Sequence, residues 1–248
     1  YSLDGGAKGF DPHAILDEIL RELTPRDLRA VRLLYGYYDC KNLIALRAGS
    51  PAHDPLGNFA RERLKEETEH PRLLPHAIGL VLAAYARPDG EEAEEVDTSR
   101  PFEQALFEAY YGLCAASPSR FLREWSDFDR TLRNVAAATT ARAAGRPVDG
   151  HVVGNDDVAE QLPYIDAVIA AVNDESNLLE KEHKIDRIRW QQAVDLAAED
   201  YFNVNAVLSY LVRINLVARW TQLDEARGRA MLGRLLRELD GKELINNK

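Results

Sequence analysis

Cysteine is almost missing from this 248-residue chain: Cys40 and Cys114 are the only two. That excludes a disulfide framework and is consistent with a reducing compartment. No Cys-x-x-Cys occurs, and the six histidines (His13, His53, His70, His76, His151, His183) make no zinc-ligand spacing. The chain has no Gly-x-x-x-x-Gly-Lys-Ser/Thr, which excludes P-loop nucleotide hydrolysis, and no Gly-x-Ser-x-Gly nucleophile elbow. Long apolar runs are missing too. The longest, Ala77 to Ala86, has ten residues with Tyr85 counted as apolar, whereas a spanning helix needs about 20. Any membrane connection is therefore expected to run through a partner, with no direct span. Positive charge is scarce, with 31 Lys+Arg against 41 Asp+Glu and a net charge of −10. Phosphate contacts need a basic surface, so the chain is a poor candidate for nonspecific nucleic-acid binding and no nucleic-acid partner is expected. By elimination, no catalytic site, no cofactor and no metal is expected. The sequence opens on Tyr1 rather than Met, so a missing or processed start is expected, and no signal peptide is visible.

What is present reads as helices joined by turns, with no convincing period-two alternation, and the fold class is all-α. Asp11-Pro12 opens a first helix, and Thr24-Pro25-Arg26-Asp27 opens a second that runs towards Gly49. The stripe of the second is Val31, Leu34, Tyr35, Tyr38, Ala45 and Leu46. Asn58 to Glu69 predicts a short charged helix, and Pro75 begins an apolar one. Ser99-Arg100-Pro101 opens a helix carrying Phe102, Leu106 and Tyr110. Ser117-Pro118 opens a long helix whose Phe121, Trp125, Phe128, Leu132 and Val135 are spaced 4, 3, 4, 3 for packing along another helix. Asn155-Asp156 caps a segment ending near Pro163, followed by a short apolar helix over Tyr164 to Val172. A long helix is predicted from Ser176 to about Tyr201, with Trp190, Ala193, Val194, Ala197 and Tyr201 on one face. The next, Asn203 to Trp220, is apolar on nearly all sides and belongs inside. A final helix runs from Leu223 to before Gly241. The glycines and proline of 146–155 and its edges make the main break, where a lid, hinge or linker is expected. It divides an N-terminal helical lobe or lobes (1–145) from a C-terminal lobe (156–248), unless the helices form one continuous domain.

Four features carry chemistry or its absence. The run Pro88 to Asp97 holds six acids and no base; a solvated loop is expected, with a contact for a basic partner as the other reading. Glu67-Thr-Glu-His70 and Glu180-Lys-Glu-His183 repeat Glu-x-x-His, the pair that builds a di-iron site when two further helices each add a Glu. Ser176, Asn177, Lys184 and Arg187 surround Glu180 with a polar face, and His70 precedes Pro71. A solvated, acid-rich helix surface is therefore expected, with a di-metal carboxylate enzyme as the alternative. Cys40 and Cys114 sit among apolar residues and read as packing. Asp39 and Asn42 fall inside the apolar stripe of the second helix. A buried carboxylate costs several kcal/mol unless paired, so a polar lock between helices is expected there, and a partner-binding position is the alternative.

A pattern recurs. Tyr38-Asp39, Asn42-Leu43 and Arg47-Ala48-Gly49 are echoed by Phe128-Asp129, Asn134-Val135, Arg142-Ala143 and Gly145, and more faintly by Asn205-Ala206 with Arg213. The stretch Leu34-Tyr-Gly-Tyr-Tyr-Asp-Cys-Lys-Asn-Leu-Ile-Ala-Leu-Arg47 resembles the aromatic-Asp-x-x-Asn-Leu signature of the C/d family of central-stalk rotor adaptors, which belong to the archaeal (A-type) and vacuolar-type (V-type) rotary ATPases. Phe128 to Val135 resembles its second occurrence. Tyr201 to Trp220 is similar to the corresponding stretch of a short bacterial branch, often described only as a domain of unknown function and found beside vacuolar-type ATPase genes. The resemblance implies a funnel of related helical lobes. In the family it sits on the membrane proteolipid ring, receives the end of the central shaft, transmits torque for ion transport and has no catalytic residues of its own. It also implies a cytoplasmic protein, peripheral on the inner face of the membrane through the other components of the ATPase. Asp39, Asn42, Asp129 and Asn134 are expected to hold the lobes together without touching the partner. A helical scaffold of another complex is the remaining alternative.

Overall fold

In a computed structural model of the chain, the described residues are 2–3, 10–87, 96–148, 152–154, 165–174 and 177–222. They form nine helices and no strand: α1 (Pro12–Glu22), α2 (Pro25–Arg47), α3 (Arg61–Glu69), α4 (His76–Ala86), α5 (Phe102–Ala115), α6 (Arg120–Ala143), α7 (Ile165–Asn173), α8 (Leu178–Asp195) and α9 (Val204–Gln222). The all-α reading holds. The expected final helix after Leu223, the Asn155-Asp156 cap and its segment to Pro163, and most of the acidic run (88–95) lie outside the described residues.

Local signals place most helix ends. The Asp11 carboxylate accepts from the N–H of His13 and Ala14, and the Thr24 hydroxyl oxygen accepts from Asp27 N–H while its O–H donates to the Asp27 carboxylate. The two longest helices, α2 and α6, stop in the same way. Gly49 and Gly145 take φ of 67° and 65°, the left-handed region where a Cβ is strained. Ser50 N–H then reaches back to Ala45 O and Arg146 N–H to Ala141 O, which closes orphan carbonyls.

Three expectations need correction. Ser119, not Ser117, caps α6, its hydroxyl accepting from Leu122 N–H, while the Ser117 hydroxyl accepts from Ser119 N–H one step earlier. The charged helix begins at Arg61, after a loop, not at Asn58. The long helix expected to reach Tyr201 ends at Asp195. There Ala197, Ala198 and Asp200 switch to bonds three residues back, and Arg120 of α6 donates to Leu196 O and to the Asp200 carboxylate. Tyr201 is consequently on an exposed turn, and Phe202 beside it is fully exposed.

Two apolar cores form. In the first, Phe121, Trp125, Phe128, Leu132 and Val135 of α6 are all buried, with Leu208, Leu211 and Val212 of α9 and residues of α7 and α8. The second gathers Leu64 of α3, Ile78 and Val81 of α4, and Leu106, Tyr110 and Cys114 of α5. Helix α2 supplies both: Val31, Leu34 and Tyr35 enter the first, Cys40 and Leu43 the second. The first core takes residues from both sides of the 146–155 break. Cys40 and Cys114 are free, buried thiols, and burial pushes that of Cys114 up to about 12.

Glu67 departs from the solvated surface expected of its motif. Its side chain is buried, and one carboxylate oxygen accepts from the N–H of Arg72 and Leu73 (2.7 Å each) and Leu74 (3.3 Å). Burial works to raise its pKa, but these three donors and Arg63 prevail and hold it below the ordinary value. Glu67 thus ties the turn between α3 and α4. Glu67→Ala leaves three main-chain donors without their acceptor and is expected to destabilise the protein by roughly 3 kcal/mol, read as a shift in the urea midpoint at unchanged slope.

Candidate functional site: a charged cavity between the helices

The asparagines of the recurring pattern do equivalent work. The Asn42 amide donates to Asp54 O (3.0 Å) and accepts from Asp54 N–H (2.6 Å). The Asn134 amide donates to Val153 O (2.9 Å) and accepts from Val153 N–H (2.8 Å). Each side chain therefore satisfies both main-chain groups of one residue in the loop after its helix. Asn205, in the faint third copy, accepts from Ser119 Oγ and Phe121 N–H and so secures the start of α6.

The aspartates of the pattern are not equivalent. Asp39 is buried and accepts from Asn58 Nδ2 (2.6 Å) and Phe59 N–H (3.3 Å), so with Asn42 it binds the 54–59 loop to α2. The loop lies so close that a Cβ on Gly57 would fall 2.8 Å from both Asp39 Oδ1 and Asn42 Nδ2. Burial raises the Asp39 carboxyl to about 6, against the opposing pull of Asn58 and Phe59. Asp129 faces the other way, into a cavity of about 820 Å³ between α2, α5, α6, α8 and α9.

Along this cavity runs a ladder of alternating charge. Arg219 of α9 pairs with Glu182 and with Asp186 (2.7 Å) of α8. Asp186 is fully buried and also accepts from Arg189 Nη1 (2.9 Å) and Trp220 Nε1 (2.9 Å). Arg189 reaches Asp129 of α6 at 3.3 Å, and Tyr111 of α5 donates to Asp129 at 2.9 Å. Burial opposes the charge of Arg189, but Asp129 and Asp186 prevail and hold its pKa above the ordinary value. Arg133 ends the ladder, with Nε 3.2 Å from Asp129 Oδ2. Burial first, and then the positive charges of Arg189 and Arg219, push Arg133 down to about 9. At the cavity's edge, Lys41 pairs with Asp54 at 2.8 Å.

Of the four residues singled out in sequence, the structure thus brings Asp39 and Asn42 together on one loop, sets Asn134 on another, and puts Asp129 in the ladder. Sequence reasoning missed Glu182, Asp186, Arg189, Arg219 and Arg133. A signal was present: Glu182, Asp186 and Arg189 fall at i, i+4 and i+7, one face of a helix. Among the described residues, no group of three or more His, Cys, Asp or Glu is placed to hold a metal ion. His183 of the second Glu-x-x-His forms a T-shaped pair with Trp220, with ring centroids 4.8 Å apart.

The molecule is thus an all-helical protein built around an internal ion-pair ladder. A family model described as "Protein of unknown function (DUF2764)" matches residues 1–242, and the chain belongs to that family. No curated protein and no solved structure matches it.

Asp186→Ala takes one carboxylate from Arg189 and Arg219, which keep Asp129 and Glu182, and leaves the Trp220 indole N–H without its acceptor. It is expected to cost about 3 kcal/mol, measured by chemical denaturation. Asp39 gives a pH signature. Its folded pKa lies above the unfolded value, so its share of stability is fullest below about pH 4 and falls as pH rises to about 6. The melting temperature of the native chain minus that of Asp39→Asn is therefore expected to decline between pH 4 and 6 and to be level above.

Proposed function

We propose that this chain is a non-catalytic rotor adaptor of a vacuolar-type rotary ATPase, coupling the central shaft to the membrane proteolipid ring for ion transport. The reading rests on the resemblance of Leu34 to Arg47 and Phe128 to Val135 to one repeated signature. The observation that supports it is the equivalence of the two asparagines. Asn42 and Asn134 hold their following loops through the same pair of main-chain bonds, on helices of 23 and 24 residues with the same glycine stop. A repeated unit that keeps its internal clamp is what a protein of related helical lobes requires.

The ladder suits the role as well. A torque-bearing adaptor must be stiff, and ion pairs that link α6, α8 and α9 resist sliding of one helix along another. No helix among the described residues is long and apolar enough to cross a membrane. In this reading the chain sits on the cytoplasmic side of the membrane, held there by the shaft and the ring.

The test is affinity purification of the tagged full-length protein from gently solubilised native membranes, with co-purifying chains identified by mass spectrometry. The proteolipid and the shaft proteins are the expected partners. Their reproducible absence, with the bait intact and the ATPase present and assembled, overturns the proposal; recovery of a different complex would make the chain a scaffold of that complex.

A further inference from the structure

Every carboxylate of the ladder accepts a hydrogen bond, but one guanidinium, ion-paired to Asp129, donates none among the described residues. Arg133 lies over the ring of Tyr37, 4.7 Å from its centroid, and 5.4 Å from that of Phe107. Its Nε approaches Asp129 without hydrogen-bond alignment and is a buried nitrogen with no hydrogen-bond partner. Neither Nη donates to an acceptor among the described residues. Asp129 is already shared by Tyr111 and Arg189 and cannot turn fully to Arg133.

A guanidinium lying with one face on aromatic rings keeps its in-plane N–H donors for another group, and two parallel donors match a carboxylate or phosphate edge. Arg133 is half-buried, but its Nε is shielded from water and unbonded, and a shielded polar group without a partner is costly. The space is adequate, since about 820 Å³ falls within the roughly 300–1,000 Å³ range of small-molecule sites. Its walls combine the rings of Tyr37 and Phe107 with polar Gln104 and Asn215, the mixture that encloses a small polar molecule. Arg189 and Arg219 act on Arg133 as like charges, with Glu182 as the opposing one.

We propose that the cavity binds a small anion carrying a carboxylate or phosphate group, gripped by the in-plane donors of Arg133. The inference is independent of the rotary-ATPase reading, since the isolated full chain is enough to test it.

The probes are succinate and inorganic phosphate, titrated calorimetrically into the full-length chain at constant ionic strength with chloride as the reference. One-site binding with a dissociation constant of about 1 mM or tighter is expected for at least one probe. It should weaken at least tenfold in Arg133→Met and by less in Arg133→Lys, which keeps the charge and loses the fork. Binding of succinate alone assigns a carboxylate, and of phosphate alone a phosphate. Should Arg133→Met fail to fold, phenylglyoxal modification of the native chain replaces it. The bound probe should protect Arg133, read by peptide mass spectrometry. No saturable binding of either probe overturns the proposal, as does binding that survives Arg133→Met or leaves Arg133 unprotected. Protection of Arg133 only inside a purified complex would assign the arginine to a partner's carboxylate and overturn it too.

Discussion

The structure turns on one carboxylate with no access to water. Asp186 is fully buried, and a bare charge there would be strongly unfavourable. It persists because Arg189, Arg219 and Trp220 all donate to it. Arg189 comes from the same helix and the other two from α9, so the requirement fixes how α8 and α9 lie side by side. Arg189 carries the constraint to Asp129 on α6, and Tyr111 carries it to α5. Buried ion pairs of this kind often add little net stability over well-packed apolar residues. Their effect here is register, since a one-turn slip of α9 would part Arg219 from both Glu182 and Asp186 and take the Trp220 indole away from Asp186.

Much of the helical scaffold was legible in the sequence because its signals are local. Asp11-Pro12, Thr24-Pro25 and the 4, 3, 4, 3 stripe of α6 each act within a turn or two of chain. The charged cavity was not legible in the same way. Its ion pairs between helices join residues 33 to 60 positions apart, such as Asp186 with Arg219 and Asp129 with Arg189, and one sequence does not reveal which acid meets which base. Glu67 shows the same limit from the other side. An acid-rich helix face reads as solvated, but three N–H groups in the next turn bury one of its acids. The end of α8 was missed because Arg120, some 80 residues away, grips the chain at Leu196 and Asp200.

The recurrence of aromatic, Asp and Asn was only partly what it looked like. Asn42 and Asn134 are true counterparts, each closing a loop on its own helix. Asp39 and Asp129 stand three and five residues before those asparagines, and on a helix those offsets lead to different faces. One therefore holds a loop while the other joins the ladder. The unequal spacing in the sequence was itself the sign that their duties had parted.

The division into two cores leaves the protein with two separate built-in reporters. All three tryptophans belong with the first core and the ladder: Trp125 and Trp190 pack into that core, and Trp220 is bonded to Asp186. Both cysteines lie in the second core. Indole emission therefore follows one half of the molecule and thiol reactivity the other, with α2 as the rod that runs through both. Loosening that begins in the α3–α5 region would appear as thiol labelling before any change in emission, and loosening among α6–α9 would reverse the order.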